Sequence, residues 1–420
     1  MTTPKPAFAN TAFQSHLSRR QQKKALFEKA AREQAGYAND TAFRRVERQY
    51  RSRVPPPDLT DVLDFRPGAP NTPALAARIV PIALDTEDSN GYWAGLGASP
   101  PTQGYMVRSF PGLVVIPGCF APDVQRRLIK DCLRRYAVPP AKSNLDALYL
   151  TPPEGLWNRY KREETGEAKP EPVTRIVPTP ATEKGKEDEP TAVTAGDLIP
   201  RLRWVTLGYQ YNWSAKEYFL DAPQPFPAPI GQLARAVVGS IHDVGYVAAD
   251  GPDLISSPRY TWLPSSAEPA DEPAGYVHRY DPAGYVPEAG VINFYQARDS
   301  LMAHVDRSEQ NMEAPLVSVS LGNTAIFVIG DESRDTPPLS MYLRSGDTVC
   351  MCGPRRRALH GIPRVLEDTL PDYLTSTEDV LAEDFEWGSF AAYMTTTRIN
   401  INVRQVFNKD RQPPSGGIEP

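Results

Sequence analysis

Long apolar segments and regularly spaced cysteines are scarce in this chain of 420 residues. Its apolar runs are short, so we predict no membrane-spanning helix and no membrane partner. The first ten residues, MTTPKPAFAN, lack the apolar stretch of a secretory signal. Four cysteines stand at positions 119, 132, 350 and 352, a spacing that fits neither a disulfide framework nor a zinc site. This cysteine usage predicts a reducing compartment, the cytoplasm or the nucleus.

Apolar residues make up 40% of the chain, enough for a substantial core, while the 44 prolines indicate long loops. Two proline-rich stretches, residues 161–197 and 250–287, have the composition of disordered inserts. We therefore expect one large domain with extensions. Its predicted parts are a basic helical extension at 1–57, an irregular linker at 58–109, a main domain at 110–408 that contains both inserts, and a disordered tail at 409–420.

Positive charge is concentrated at the N-terminus. Residues 1–53 carry twelve Lys/Arg and four Asp/Glu, whereas the whole chain has a net charge of −5, so the remainder carries −13. A basic arm on an acidic body can hold a phosphate backbone. The same composition also fits a solvated helix without a partner. A mitochondrial presequence is a third interpretation, because residues 1–27 contain five Lys/Arg and no acid.

The order of helix and strand patterns indicates a β-rich C-terminal half. Residues 12–50 read as one polar helix, GLVVIPGCF at 112–120 as a strand, and APDVQRRLIKDCLRRYA at 121–137 as an amphipathic helix. From residue 288, short β-rich runs alternate with turn signals, which is typical of a sandwich or barrel. These runs are GVINFYQA, PLVSVSLG, NTAIFVIG, SMYLRSGDTVCMCG and RININVRQVF.

The stretch LMAHVDRSEQ, residues 301–310, holds two potential metal ligands. Alternate residues of a strand share a face, so His304 and Asp306 are expected to point the same way, with Val305 packed on the other side. His360 follows 54 residues after Asp306 and can supply a third ligand. Two histidines and one carboxylate leave coordination positions open, which suits non-haem Fe(II) that activates O2. Taken alone, His-x-Asp is more often a buried, hydrogen-bonded histidine than a ligand.

The last strand pattern places four polar side chains on one face. Arg398, Asn400, Asn402 and Arg404 alternate with Ile399, Ile401 and Val403. Guanidinium groups inside a β-core need anionic partners, because an unpaired buried charge is costly. A dicarboxylate cosubstrate would supply them through bidentate contacts. The alternative is an ordinary exposed strand face. The order along the chain, His-x-Asp, then His, then Arg-x-Asn-x-Asn-x-Arg, argues against it.

These motifs together resemble the AlkB-type Fe(II)/2-oxoglutarate dioxygenases, and among them the AlkB homologue one branch. The resemblance covers roughly residues 110–408, apart from the two inserts. The matching motifs are LRWVTLGYQYNW at 202–213, EAGVINFY at 288–295, HVDRSE at 304–309, SGDTVCMCGPRRRALHGIPRV at 345–365 and RININVRQV at 398–406.

The resemblance implies an α+β fold, in which a double-stranded β-helix (jelly-roll) core has flanking helices. It also implies Fe(II) as metal, 2-oxoglutarate as cosubstrate and O2 as oxidant. The implied metal ligands and catalytic residues are His304, Asp306 and His360, with Arg398 also catalytic. The implied 2-oxoglutarate contacts are Asn293, Tyr295, Arg398, Asn400 and Arg404. The chain departs from the family at Asn402, where Thr is usual. Ser308 replaces the acid of the repair members, a feature that the homologue one branch shares.

The expected substrate contacts come from an aromatic segment and a basic loop. A base must leave its stack to be oxidised, and aromatic rings hold such a base. The resemblance places Trp204, Tyr209 and Tyr211, together with Trp213, in a lid over the substrate, and we expect at least two of these four to be ordinary packing residues. Arg356, in the run Arg355–Arg357 just before His360, is expected to meet phosphate. A solvated turn is the alternative for this run.

These expectations favour a monomeric demethylase of methylated bases in nucleic acid. The predicted substrate is methyladenine or methylcytosine in tRNA, with methyladenine in DNA as a further one. The alternatives are a protein or histone demethylase or hydroxylase on the same iron core, and an inactive module that binds nucleic acid. The intact triad and Arg398 argue against the inactive module.

Overall fold

Two antiparallel sheets form the centre of the molecule. The computed structural model describes residues 40–108, 110–176, 192–212, 217–219, 224–242, 244, 246–248, 260–262 and 280–408. Within this part of the chain, a larger sheet has the strand order β1-β2-β3-β14-β11-β16-β9-β4, and a smaller sheet has the order β10-β15-β12-β13. The two short hairpins β5-β6 and β7-β8 stand apart from them.

The strands of the larger sheet are β1 (Ile79–Ala83), β2 (Gln103–Val107), β3 (Phe110–Ile116), β4 (Trp204–Gly208), β9 (Ala289–Gln296), β11 (Leu316–Gly322), β14 (Thr348–Met351) and β16 (Thr397–Arg404). The smaller sheet contains β10 (Leu301–His304), β12 (Ala325–Ile329), β13 (Leu339–Leu343) and β15 (His360–Val365). The hairpins are β5 (Tyr211–Asn212) with β6 (Glu217–Tyr218), and β7 (Tyr246–Ala248) with β8 (Tyr260–Trp262).

Helices flank this core. They are α1 (Ala42–Arg51), α2 (Pro73–Ala76), α3 (Tyr92–Gly95), α4 (Pro122–Asp131, continued by a π-helical turn Cys132–Tyr136), α5 (Leu156–Glu164), α6 (Ala195–Leu198), α7 (Ala228–Ser240), α8 (Glu378–Glu383) and α9 (Trp387–Met394). Short 3-10 turns lie at Asn144–Ala147, Ile199–Arg201, Pro282–Gly284, Gly353–Arg357 and Asp372–Leu374. Across these described helices, none has the length and apolarity to cross a bilayer.

Apolar side chains fill the space between the two sheets. Leu113 and Met351 of the larger sheet pack in one buried cluster with Phe327 and Met341 of the smaller sheet. A second, larger cluster lies between the larger sheet and helices α4, α7 and α9. On β16 the predicted alternation is confirmed, because Ile399, Ile401 and Val403 all belong to this helix-facing cluster. The polar residues of β16 consequently face the smaller sheet.

The jelly-roll prediction is confirmed, and each predicted β-run from residue 288 contains a strand. The amphipathic helix after β3 is also confirmed as α4, with Pro122 in its first turn. Val305 packs in an apolar cluster, as expected.

The predicted linker at 58–109 is wrong as an irregular segment. β1 pairs with β2 from Ile79 to Ala83, and β2 pairs with β3, so this segment extends the larger sheet. The run around Arg78–Ala83 contains a proline, which is tolerated because β1 is an edge strand. Proline content therefore gave a misleading signal here.

The predicted inserts are wrong in their described parts. In the first, α5 extends to Glu164, Arg175 forms a bridge with Tyr149, and Val173 is buried in the main cluster. In the second, Tyr285 is buried. Residues 177–191 and the tail 409–420 lie outside the described residues. The helix predicted over 12–50 is described only from residue 40, where Thr41 is extended and caps α1.

Candidate active site

Three potential metal ligands meet where β10 pairs with β15. His304 ends β10, His360 begins β15, and the two residues are direct partners in the ladder. Asp306 lies in the loop after β10, not on the strand as predicted, yet its carboxylate reaches the same point. His304 Nε2 lies 3.8 Å from Asp306 Oδ1, and His360 Nε2 lies 3.7 Å from Asp306 Oδ2. The ligand atoms of all three lie within 4.8 Å of one another, so they could share one ion.

Both imidazole rings are oriented for a ligand role. The Nδ1 atoms of His304 and His360 each lie 3.0 Å from a backbone oxygen, that of Met302 and Ala358 respectively. Such a bond fixes the ring and leaves Nε2 for a metal. Burial lowers the pKa of His360 to about 4, so its imidazole stays neutral, which is the form that binds metals.

Arg404 holds the Asp306 carboxylate by a direct ion pair. Its Nη2 donates to Asp306 Oδ2 over 2.7 Å. Burial alone would raise the pKa of Asp306, but the positive charge of Arg404 lowers it below its usual range. Asp306 is therefore an anion in the folded protein.

Arg398 is a buried cation that has only neutral hydrogen-bond partners among the described residues. It is fully buried, and its guanidinium donates to Ser320 Oγ over 2.7 Å and to the carbonyl oxygens of Asn323 and Leu343. In the described part of the chain it forms no ion pair, and its Nε has no hydrogen-bond partner. Burial lowers its pKa to about 10, which still leaves the group positive at neutral pH. An anionic ligand would supply the missing counter-charge.

Polar side chains of β9 and β16 surround this cation. Asn293, Tyr295, Asn400, Asn402 and Arg404 all line the same cavity as Arg398. Asn402, the departure from the family pattern, donates to Asn400 Oδ1 over 2.7 Å. Asn400 in turn donates to Ser318 Oγ over 2.9 Å. Asn402 thus helps to orient the Asn400 side chain.

One large cavity contains the whole constellation. It has a volume of about 1380 Å³ and is lined by the three potential ligands, by Arg398 and by Tyr211. The cavity lies between the two sheets, because its wall includes residues of β9, β16, β10 and β15. A metal ion and a small dicarboxylate would fill only part of this volume.

Two predicted substrate contacts are wrong. Arg356 does not face solvent: its side chain and that of Glu309 are each 1% exposed, and the two groups pair at 3.0 Å. Its Nη1 also donates to the Asp306 carbonyl over 2.8 Å, so it supports the loop of the ligand. Tyr209 is buried against Phe407 in a separate apolar cluster. Arg356 neutralises the charge of the buried Glu309, and the Tyr209 ring fills space in the apolar cluster.

The other predicted contacts are placed differently. Tyr211 lines the cavity, and its hydroxyl lies 2.9 Å from Ser308 Oγ, which connects the β5-β6 hairpin to the ligand loop. Trp204 pairs with Asn293 in the ladder but does not line the cavity, so its contact with substrate stays a prediction. Trp213 lies outside the described residues.

The sequence analysis did not predict a buried network of hydrogen bonds and ion pairs that reaches Asp306 through Arg404. Tyr218 donates to Glu309 Oε1 over 2.6 Å, and Arg404 Nε lies 3.7 Å from the same oxygen. Glu309 is part of the HVDRSE motif, so its position was a usable signal. Tyr218 carries no such signal, because only the hairpin brings it to Glu309.

Comparison with known proteins identifies the family. The sequence model of the 2OG-Fe(II) oxygenase superfamily matches residues 177–404, more than half of the chain. The Mus musculus protein named Nucleic acid dioxygenase ALKBH1 is 31% identical over 409 residues, which cover 92% of this chain and 89% of that protein. This chain belongs to the 2OG-Fe(II) oxygenase superfamily, as an AlkB-type dioxygenase.

Two further relatives of this AlkB-type dioxygenase span most of its length. The Schizosaccharomyces pombe protein named tRNA demethylase abh1 is 28% identical, and the match covers 87% of this chain and 95% of that protein. The Arabidopsis thaliana protein named DNA N(6)-methyladenine demethylase ALKBH1A is 30% identical over 88% of this chain and 97% of its own. Family membership confirms the predicted use of Fe(II), 2-oxoglutarate and O2.

Proposed function

We propose that this AlkB-type dioxygenase oxidatively removes methyl groups from bases of nucleic acid, with tRNA as its preferred substrate and methyladenine in DNA as a further one. The relatives support a nucleic acid, because their names specify nucleic acid in general, tRNA and DNA respectively. Those names do not agree on one polymer. The preference for tRNA therefore rests on the charge distribution of this chain.

The proposed iron ligands are His304, Asp306 and His360. Their donor set fits Fe(II), since two imidazoles and one carboxylate leave open positions for a cosubstrate and O2. Arg398 is the proposed partner of the distal carboxylate of 2-oxoglutarate, and Asn293, Tyr295, Asn400 and Arg404 complete its surroundings. The observation that carries this assignment is a fully buried guanidinium in the same cavity as the triad, for which the described residues supply no ion pair.

The remaining volume of the cavity is the proposed place for the methylated base. A base must be turned out of its stack to reach a buried metal, and aromatic rings then hold it. Tyr211 is the aromatic residue that lines the cavity from the hairpin, and Ser308 fixes its hydroxyl. Stacking on such a ring contributes about 1–3 kcal/mol per base.

Positive charge near the cavity supports a polyanionic substrate. Arg307 directly follows Asp306, is exposed and lines the cavity. Arg51 of α1 contacts the sulfur of Met302 at 3.6 Å, and Met302 is also a cavity residue. The described end of this basic region, helix α1, thus lies beside the cavity. A folded tRNA offers both a phosphate backbone for this arm and unstacked loop bases for the cavity.

The residues of the site divide the chemical work. When bound, Fe(II) and 2-oxoglutarate supply the oxidising chemistry, which consumes O2 and hydroxylates the methyl group. Arg404 keeps Asp306 ionised and oriented, and the Nδ1 bonds fix both imidazoles. Arg398 neutralises and orients the cosubstrate. Tyr211 orients the base, so that its methyl group faces the metal.

The test compares substrates that carry the same methylated base. Full-length enzyme with Fe(II) and 2-oxoglutarate is given methylated tRNA, single-stranded DNA of equal length, or a methylated histone peptide, and mass spectrometry follows loss of the methyl group alongside succinate. We expect the fastest loss from tRNA and none from the peptide. Asp306→Ala should abolish both readouts, because it removes the charged ligand.

Each contrary result removes a defined part of the proposal. Equal or faster demethylation of the DNA would remove the tRNA preference. Demethylation of the peptide alone would favour a protein demethylase. Near-normal succinate formation by Asp306→Ala would refute the iron assignment.

We also infer that the enzyme acts as a monomer in the cytoplasm or nucleus, with mitochondria as a further location. All four cysteines are free in the structure, which suits a reducing compartment. Light scattering at micromolar concentration tests the monomer, and a mass of twice 46.5 kDa would contradict it.

A further inference from the structure

Helix α1 carries a buried carboxylate whose two oxygens have different partners. Glu47 is 2% exposed, and its Oε2 accepts from the half-buried Arg44 over 3.1 Å. Its other oxygen, Oε1, accepts the backbone N–H of Ala303 over 2.6 Å. Ala303 is the residue directly before His304, so this contact lies one peptide bond from a proposed iron ligand.

The contact matters because β10 is an edge strand. Among the described strands it pairs with β15 alone, and the ladder is irregular between Leu301 and His304. On the open side, Glu47 takes the N–H of Ala303, and Arg334 donates to the Ala303 carbonyl over 3.1 Å. A carboxylate and a guanidinium thus satisfy the two groups that a neighbouring strand would otherwise satisfy.

The surrounding core holds Glu47 in place. Phe43, one turn before it, is fully buried against Ile326 and Val328, and its N–H donates to the Arg334 carbonyl over 3.0 Å. A side chain at Gly330 would collide with the Phe43 ring, at 2.9 Å from an added Cβ. The helix is therefore fixed to the smaller sheet, and its carboxylate has little freedom to leave Ala303.

We propose that Glu47 is a positioning residue of the iron site, which holds β10 so that His304 stays opposite His360 and Asp306. The N-terminal helix is then a structural part of the metal centre as well as a carrier of positive charge. This inference rests on the assignment of His304 as a ligand under Proposed function, but not on the identity of the methylated substrate.

The test measures metal binding directly. Co(II), whose visible absorption reports coordination, is titrated anaerobically into full-length wild type, Glu47→Ala and Glu47→Gln. Loss of a group that orients a metal ligand typically weakens metal affinity by about 10–100-fold. We expect at least about tenfold weaker binding for Glu47→Ala, and near-normal binding for Glu47→Gln, because a glutamine oxygen can still accept from Ala303. Hydrogen exchange of the Ala303 amide should accelerate in the first variant only.

A matched control separates positioning from general stability. Arg44→Ala removes the other partner of Glu47 without touching β10, so it should leave Co(II) affinity unchanged. If Glu47→Ala does not fold, Glu47→Asp replaces it, since a carboxylate shortened by one methylene cannot reach the Ala303 amide and should weaken Co(II) binding as well.

Several outcomes would overturn the inference. One is a folded Glu47→Ala, or Glu47→Asp in its place, with wild-type Co(II) affinity, even if its melting temperature falls. Another is a Glu47→Gln that binds Co(II) as weakly as the alanine variant. Failure of the proposed iron site itself looks different: wild type and Asp306→Ala would then bind Co(II) equally.

Discussion

Adjacent arginines in this protein have opposite surroundings. Arg356 is buried against Glu309, whereas Arg357 is exposed. The sequence shows only a run of three basic residues, which reads as one basic loop. The 3-10 turn Gly353–Arg357 separates them, because successive side chains of such a turn point in different directions. The grouping of the three potential metal ligands was easier to predict, since they and Arg398 keep a recognisable order along the chain.

Replacing Arg356 should destabilise the fold, because the substitution removes the closest cation from the buried Glu309 carboxylate. We expect Arg356→Ala to lower the free energy of unfolding by about 3–5 kcal/mol. Arg357→Ala is the matched control and should change it by less than about 0.5 kcal/mol. Urea unfolding followed by fluorescence measures both. Equal and small losses would mean that the pair contributes little.

At the scale of elements, the turn between β13 and β14 contains an unusual carboxyl group. Burial raises the pKa of Asp347 from 3.8 to about 6, although its oxygens accept the backbone N–H groups of Gly118 and Arg344. Through these bonds it ties the end of β3 to the β13-β14 turn.

This turn should make stability depend on pH. Because the folded pKa of Asp347 is the higher one, the folded state binds more protons between pH 3.8 and about 6. Its contribution to stability therefore falls as pH rises through that window, by about 3 kcal/mol in total. The Asp347→Asn variant cannot ionise at this position, so it should not lose this contribution between pH 4.5 and pH 7. Relative to wild type, the variant should therefore be more stable at pH 7 than at pH 4.5. An identical pH profile for both proteins would contradict the raised pKa.

The elements differ in how well the sequence predicts them. β16 is predictable, because its apolar and polar residues alternate and each set has a separate environment. β1 is not, because its signal is short and interrupted by Pro81, and only pairing with β2 makes it a strand. The order around Val173 was also not predicted. Val173 packs in the same buried cluster as residues of α5 and α6, and this packing outweighs the polar composition of the segment.

At the scale of the whole molecule, part of the basic N-terminal region belongs to the folded core, which the sequence alone did not reveal. Residues 1–53 look like one basic arm, but α1 is part of the fold, with Phe43 and Tyr50 buried. Several of its arginines already pair within the protein, as Arg53 does with Glu367 at 2.9 Å. Charge counts cannot distinguish an internally paired arginine from one that is available to phosphate.

Two truncated chains should separate the part of α1 in folding from the part of the arm in binding. A chain of residues 40–420 lacks seven Lys/Arg but keeps α1, so its salt dependence of tRNA binding should weaken while its unfolding free energy stays near wild type. If the full arm neutralises about six phosphates, wild type should lose about a thousand-fold in affinity between 50 and 200 mM salt. A chain of residues 54–420 also loses the buried Phe43, which should cost about 3–5 kcal/mol.

Filter binding at the two salt concentrations and urea unfolding provide the measurements. A chain of residues 54–420 as stable as wild type would show that α1 is dispensable for folding. An unchanged salt dependence in the chain of residues 40–420 would remove the role given to the arm.

The direct pairing of His304 with His360 also bears on the register between β10 and β15. β10 is held by one neighbouring strand, and a slip of one residue would turn His304 to the opposite face. An ion bound by both imidazoles would resist that slip, because it binds only the native alignment. Such an ion would hold the alignment of the strand in addition to its part in the reaction, and β10 should then be more open to proteolysis in the metal-free protein than in the metal-bound one.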